Sequence, residues 1–217
     1  MSAIMLERLW NAFLDTSLMV GVSASLAALF GIPLAVLLVA TAPGGIREAP
    51  RLNAVVGALV NGFRATPFIV LLVALIPLTR LLAGTTIGVW AAIVPLTISA
   101  TPFLARIAEV SIREVDRGLV EAAQAMGCRR WHIVRHVLLP EALPGIVGGL
   151  TITVVTMIGA SAMAGAVGAG GLGDMAIRYG YQRFDTVVMI AVIVVLIAMV
   201  MTVQFAGDRT VRALRAR

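Results

Sequence analysis

The uncharged apolar runs constrain this chain more than any other feature. Residues 16–40, 146–167 and 186–206 contain no Asp, Glu, Lys or Arg. A helix needs roughly 20 mostly apolar residues to cross about 30 Å of hydrocarbon, and in lipid a helix satisfies every backbone amide internally. The runs are too long and too little alternating for barrel strands. With 60% hydrophobic and 13% charged residues in 217, against about 25% charged in soluble domains, the expected class is all-α: one polytopic membrane domain over residues 1–217.

Taken in order, Met1 to Asp15 reads as an amphipathic lead-in near the bilayer surface, with Trp10 at an interfacial position. No cleaved signal peptide is expected. The first span is expected over 16–40 and, after a Pro- and Gly-punctuated turn at 41–52, the second over 53–79. Arg64 and Pro67 interrupt that second span. An arginine at depth is costly unless it faces a cavity, a partner or the interface, so Arg64 is a candidate for a substrate carboxylate or a neighbouring subunit's acid, with snorkelling at the boundary as the plainer role. The third span is expected over 89–107, the fourth over 146–167 and the fifth over 186–206.

The fourth span is rich in Gly, Ala and Ser, as at close helix–helix or subunit contacts. Gly168, Gly170, Gly171 and Gly173 follow in GAGGLG, a stretch too glycine-rich for regular helix and suited to a re-entrant turn or hinge. The spacing GxGxxG is met, but no strand precedes it, so a dinucleotide site is not expected.

All 17 basic residues are arginine. Without lysine there is no Walker A site and no Schiff base, and any ATP chemistry must reside in another polypeptide. The net charge of +6 does not call for nucleic acid, because the arginines lie between apolar segments as a topology signal. Five spans put Arg47, Arg51, Arg113, Arg117, Arg129, Arg130, Arg135 and the four arginines of the C-terminal tail on one side. Only Arg8, Arg80, Arg178 and Arg183 fall on the other, which predicts an external N-terminus and a cytoplasmic C-terminus.

The large polar segment is 109–140. Its pattern predicts a helix over 111–126 stopped by Gly127, then a short amphipathic helix over 129–138 stopped by Pro140. Trp131, Val134, Val137 and Leu138 fall on one face of the second helix and Arg129, Arg130, His132, Arg135 and His136 on the others. Two helices broken at a glycine form a knob able to seat an apolar edge in a partner's groove, with arginines at the rim. Glu121 is alternatively a local partner for Arg129 or Arg130. The lone Cys128 cannot form an internal disulfide and fits a reducing compartment. His132 and His136 at i, i+4 with Cys128 lack a clear further ligand, so no metal site is expected.

Glu121, Ala122, Ala123, Gly127 and the closing Leu138-Leu139-Pro140 resemble the EAA motif of ABC importer membrane subunits, the element that docks on the ATPase. Over essentially the full length, including ATPFIVLLVALIPLTR (65–80), LLPEALPGI (138–146), SAMAGAVGAGGLG (161–173) and QFAGDR (204–209), the chain resembles the methionine-type ABC importer permease. The resemblance implies a homodimer of five-span subunits in the bacterial cytoplasmic membrane, in contact with lipid, two ATPase subunits and an external substrate-binding protein. ATP and magnesium would bind the ATPase, with no cofactor in this chain. It implies ATPase coupling through Glu121, Ala122, Ala123, Gly127, Arg129, Arg130, Trp131, Leu139 and Pro140. A gate is expected around Ser161, Met163 and Val167, with Gly168 to Gly173 as its hinge, and methionine, including its D form, as the cargo.

Two other classes are weighed. A stand-alone secondary transporter or channel needs intramembrane acids or a carbonyl-lined cavity, but the acids map almost entirely to span ends and loops. An intramembrane enzyme needs a nucleophile with a base, and Ser23, Ser25, Ser99 and Ser161 have no histidine on the same side.

Overall fold

The computed structural model describes residues 3–216 and contains only helices and their connections among them. The first helix, α1 (Ala3–Thr41), absorbs the expected lead-in and the first span into one rod. Nothing between Asp15 and Thr16 breaks a helix, and Pro33 is carried inside it, as membrane helices tolerate. Met1 and Ser2 lie outside the described residues.

The second span is broken where Arg64 and Pro67 foretold. α2 (Pro50–Ala65) and α3 (Phe68–Ala74) meet at 105°, because the residue before proline avoids helical geometry and Thr66 is extended, with ψ 125°. α4 (Ile76–Ala83) follows and ends at left-handed Gly84. α5 (Val89–Arg113) contains Pro95 and Pro102 and runs further than the expected third span. Four helices are long and apolar enough to cross a membrane, or five if the bent α2–α3 pair counts as one span.

α6 (Arg117–Ala125) starts at Asp116, whose Oδ1 accepts the Gly118 N–H at 2.7 Å, an N-cap that satisfies one otherwise orphaned donor. The expected helix over 111–126 is therefore two helices, split at residues 114–116. α7 (Arg130–Ile133) passes through a π-helical turn, Val134–Leu138, directly into α8 (Leu139–Ala166). Pro140 does not stop the helix. A proline ring normally clashes with the carbonyl four residues back, but here the preceding turn is widened and Leu139 N–H reaches back five residues to the Val134 carbonyl. Residues 130–166 thus form one rod from the polar segment through the membrane.

The glycine-rich stretch after α8 is also partly helical: α9 (Gly171–Met175) and a π-helical turn, Ala176–Tyr181, precede α10 (Thr186–Arg215). α1 packs on α5, α5 on α8 and α8 on α10. Lipid tails provide no hydrophobic drive between helices, so close van der Waals fit must hold them. The core accordingly combines Ala24, Ala27, Ala92, Ala100 and Ala164 with Met19, Leu96, Met157 and Ile158. A Cβ at Gly149 would overlap Ile107, and one at Gly145 would lie 2.6 Å from Ser111 Oγ.

Candidate functional site

Two regions carry the residues singled out in the sequence: a knob at the polar end of the bundle and a stripe along α8.

The knob is α6, Gly127 and α7. The Gly127 N–H donates to the Gln124 carbonyl at 2.9 Å and the Cys128 N–H to the Ala123 carbonyl at 3.0 Å, the paired bonds of a Schellman ending. Gly127 has φ +74°, a region costly for residues with a Cβ. Ala123 is buried and belongs to a core with Ala35, Ala108, Ile112, Ile133, Val134, Leu138 and Ile146, which fastens the knob to α1, α5 and α8. Glu121, Ala122, Arg129, Arg130 and Pro140 are exposed and Leu139 half-buried. Glu121 belongs to none of the ion pairs among the described residues, so the suggested local pairing with Arg129 or Arg130 is not formed.

The expected apolar face of the second helix is turned. Ile133, Val134 and Leu138 point to the core, whereas Trp131 is 63% exposed. The π-helical turn adds a residue to the helical repeat, so a face drawn at 3.6 residues per turn does not continue through it. Trp131 and Met126, 76% exposed, flank Gly127 as the two large apolar side chains at the knob's tip. The His132 and His136 rings stack with centroids 5.8 Å apart, and Cys128 is exposed.

Glu109, the first residue of the expected polar segment, lies within α5 and is 2% exposed. Its Oε1 accepts from Arg113 Nη2 at 2.7 Å and its Oε2 from Arg106. Arg106 Nη2 also donates to Asn61 Oδ1 of α2 at 3.2 Å. The i, i+3 and i+4 spacing of Arg106, Glu109 and Arg113 was the available signal.

Along α8, Ile152, Thr156, Gly159 and Met163 form an exposed stripe at helical spacing, continued by Val167. Ser161 is on the other side, buried, with Oγ donating to the Ile158 carbonyl at 2.8 Å. Gly168, Gly170 and Gly171 all have positive φ, and the segment is closely packed. The Gly88 N–H donates to the Gly168 carbonyl at 2.9 Å, the Leu172 N–H to Thr16 Oγ1 at 2.9 Å, and Gly173 leaves no room for a Cβ against Ala162. This corner ties α1, α5, α8 and α9 together. Arg64 lines a cavity between α2, α5 and α8.

Comparison with known proteins agrees with this architecture. Residues 27–217 match the family model described as "Binding-protein-dependent transport system inner membrane component". The protein named "Probable D-methionine transport system permease protein MetI" from Vibrio cholerae is 51% identical over 206 residues, 95% of this chain and 92% of that protein. The "Methionine import system permease protein MetP" of Bacillus subtilis is 39% identical over 203 residues, 94% of this chain and 91% of that one. A solved structure titled "Inward facing conformations of the MetNI methionine ABC transporter" superposes with a TM-score of 0.97 at 50% identity, covering 99% of both chains. With its helical fold, its broken second span and its projecting knob, the chain belongs to the binding-protein-dependent transport system inner membrane component family.

Proposed function

We propose that this chain is the membrane subunit of an ATP-driven methionine importer and acts as one permease domain over residues 1–217. The observation that carries the reading is the full-length likeness to the MetNI permease chain, a TM-score of 0.97 at 50% identity. The knob supplies its mechanism. Its tip offers Met126 and Trp131 beside Glu121, Arg129 and Arg130, a combination that suits a groove with an acidic rim. α7 continues into α8 without a break, so a displacement of the tip is transmitted along a rigid rod to Thr156, Met163 and Val167.

In this reading two ATPase subunits bind ATP and magnesium, because this chain has no lysine for a Walker A site. A second copy of the chain faces the α8 stripe, with Met163 and Val167 at the gate and the Gly168–Gly173 corner holding its outer end. A substrate-binding protein delivers methionine from outside, and the membrane is the bacterial cytoplasmic one. The arginine-rich ends of the helices face the cytoplasm. The energy is carried by differential docking of the knob in the two states of the ATPases.

The test is reconstitution of the chain into proteoliposomes with its ATPase and binding protein, omitting each component in turn. Uptake of labelled methionine is expected only with all three and ATP. Uptake by the chain alone, driven by an ion gradient, would contradict the reading.

A further inference from the structure

We propose that the groove between the N-terminal part of α1 and α10 holds one phospholipid with a primary-amine head group. The proposal goes beyond the import reading and needs only that the chain lies in a bilayer. The groove is lined by Leu6, Glu7, Leu9, Trp10 and Phe13 of α1 and by Val195 of α10, with a volume of ≈ 680 Å³, inside the range of about 300–1,000 Å³ typical of small-molecule sites. It is a fixed feature of the fold. Ala12 is buried in one core with Val188 and Val192, and Leu9 and Val195 pack against that core, so the first turns of α1 are held against α10.

The lining is ordered along the groove. Glu7, Trp10 and Phe13 follow one another at three-residue spacing, which places them in a row on one side of α1. The Trp10 and Phe13 rings stack with centroids 5.3 Å apart. From Glu7 to Phe13 the helix advances roughly 9 Å, at 1.5 Å per residue. The row thus leads from a carboxylate nearest the helix end, through an indole with one polar N–H, to a phenyl ring and Val195. A phospholipid has the same order of charged head group, ester level and hydrocarbon. Tryptophan characteristically occupies the middle level, with one end apolar and the other wet, and Trp10 is 59% exposed.

Charge decides which head group fits. Glu7 is exposed and belongs to none of the ion pairs among the described residues. Its neighbour Arg8 is engaged away from the groove, where it donates to the Tyr179 hydroxyl and lies 5.4 Å from the centre of that ring. Arg183 covers the same ring at 4.8 Å. Among the described residues no cation lines the groove, so an anionic head group would meet only the like charge of Glu7. A primary ammonium offers three N–H donors to the carboxylate, in bonds strengthened by charge. A quaternary ammonium offers none. The groove therefore selects an amine-bearing lipid over both its anionic and its methylated counterparts.

The test uses the complex of this chain with its ATPase, in nanodiscs of phosphatidylethanolamine, phosphatidylcholine and phosphatidylglycerol in equal amounts. In each run one of the three lipids carries a diazirine in its acyl chain. Photolysis is expected to label the α1 peptide containing Leu9 and Phe13 and the α10 peptide containing Val195, about fivefold more with the ethanolamine lipid than with either other lipid, the effect of one partly exposed charge-assisted bond. Glu7→Gln is expected to remove that preference and Glu7→Asp to keep part of it. Val195→Phe, which fills the groove, should lower labelling at these two peptides by every lipid and gives a second reading should Glu7→Gln fail to assemble. Equal labelling of the wild type by the three lipids, or a preference that survives Glu7→Gln, would overturn the proposal. So would a photoreactive amino acid at Leu6 that cross-links to a second copy of the chain, because protein would then close the groove. None of these readings involves methionine uptake, so their failure is distinguishable from failure of the import reading.

Discussion

The Cys128 N–H reaches across Gly127 to the Ala123 carbonyl at 3.0 Å, joining the exposed tip of the knob to the one alanine of the Glu-Ala-Ala triad that is buried. The turn therefore fixes where Trp131 stands relative to the core. Gly127 has φ +74° and open space around its missing Cβ, so a substitution there is opposed by backbone conformation and not by crowding. Gly127→Val is expected to cost about 1–2 kcal/mol of local order and to reduce co-purification of the ATPase about tenfold. Gly127→Asn, which tolerates left-handed geometry, should retain most of it. Equal retention by both variants would separate the turn from docking.

Met126 and Trp131 contribute little to the chain's own core, being largely exposed. Trp131→Ala should leave insertion and thermal stability in detergent unchanged while weakening ATPase binding by about 1–2 kcal/mol, as expected for a buried aromatic anchor at an interface. A titration of the purified permease with the ATPase subunit reads this directly. A fall in the chain's own melting temperature with unaltered binding would assign Trp131 to folding.

Glu109 holds two cations from a buried position. Removing it leaves Arg106 and Arg113 without their acid, but their side chains are 29% and 51% exposed and can turn toward water. The cost is therefore expected below the 3–5 kcal/mol of a fully buried pair, at about 1–3 kcal/mol. Glu109→Ala should lower the melting temperature in detergent measurably, and Arg113→Gln by less, because Arg113 is the more exposed partner.

The corner at Thr16 is sensitive for another reason. Thr16→Val retains the shape and removes the acceptor for the Leu172 N–H, leaving a buried donor unmatched at a cost of about 1–3 kcal/mol. Gly171→Ala meets both a φ of +74° and Thr16 Oγ1 2.6 Å from the new Cβ. Both variants should expose the α9 region to protease in detergent, Gly171→Ala the more strongly.

Hydropathy alone located the spans because runs such as 186–206 contain no charge, and the break at Arg64–Pro67 was legible because proline restricts the residue before it. Gly127 was legible for the same kind of reason: a glycine that ends a helix needs no tertiary partner to do so. What remained hidden depended on context. The lead-in and the first span are one helix because no residue between them interrupts it. The helix runs on through Pro140 because a π-helical turn precedes it, and that turn also sends Trp131 outward. The burial of Glu109 follows from its place on α5 within the bundle, which hydropathy does not give, although the spacing of its two arginines marked the pairing. Ser161 and Met163 are only two residues apart, and their opposite exposure follows from which neighbours α8 meets.

The central claim is that ATP-driven methionine import runs through this knob. Its most direct measurement is ATP-dependent uptake of labelled methionine in proteoliposomes containing the ATPase, the binding protein and either the wild-type chain or Gly127→Val, inserted to equal levels. The wild type should accumulate methionine and Gly127→Val should transport at a small fraction of that rate. Equal uptake by the two would contradict the account.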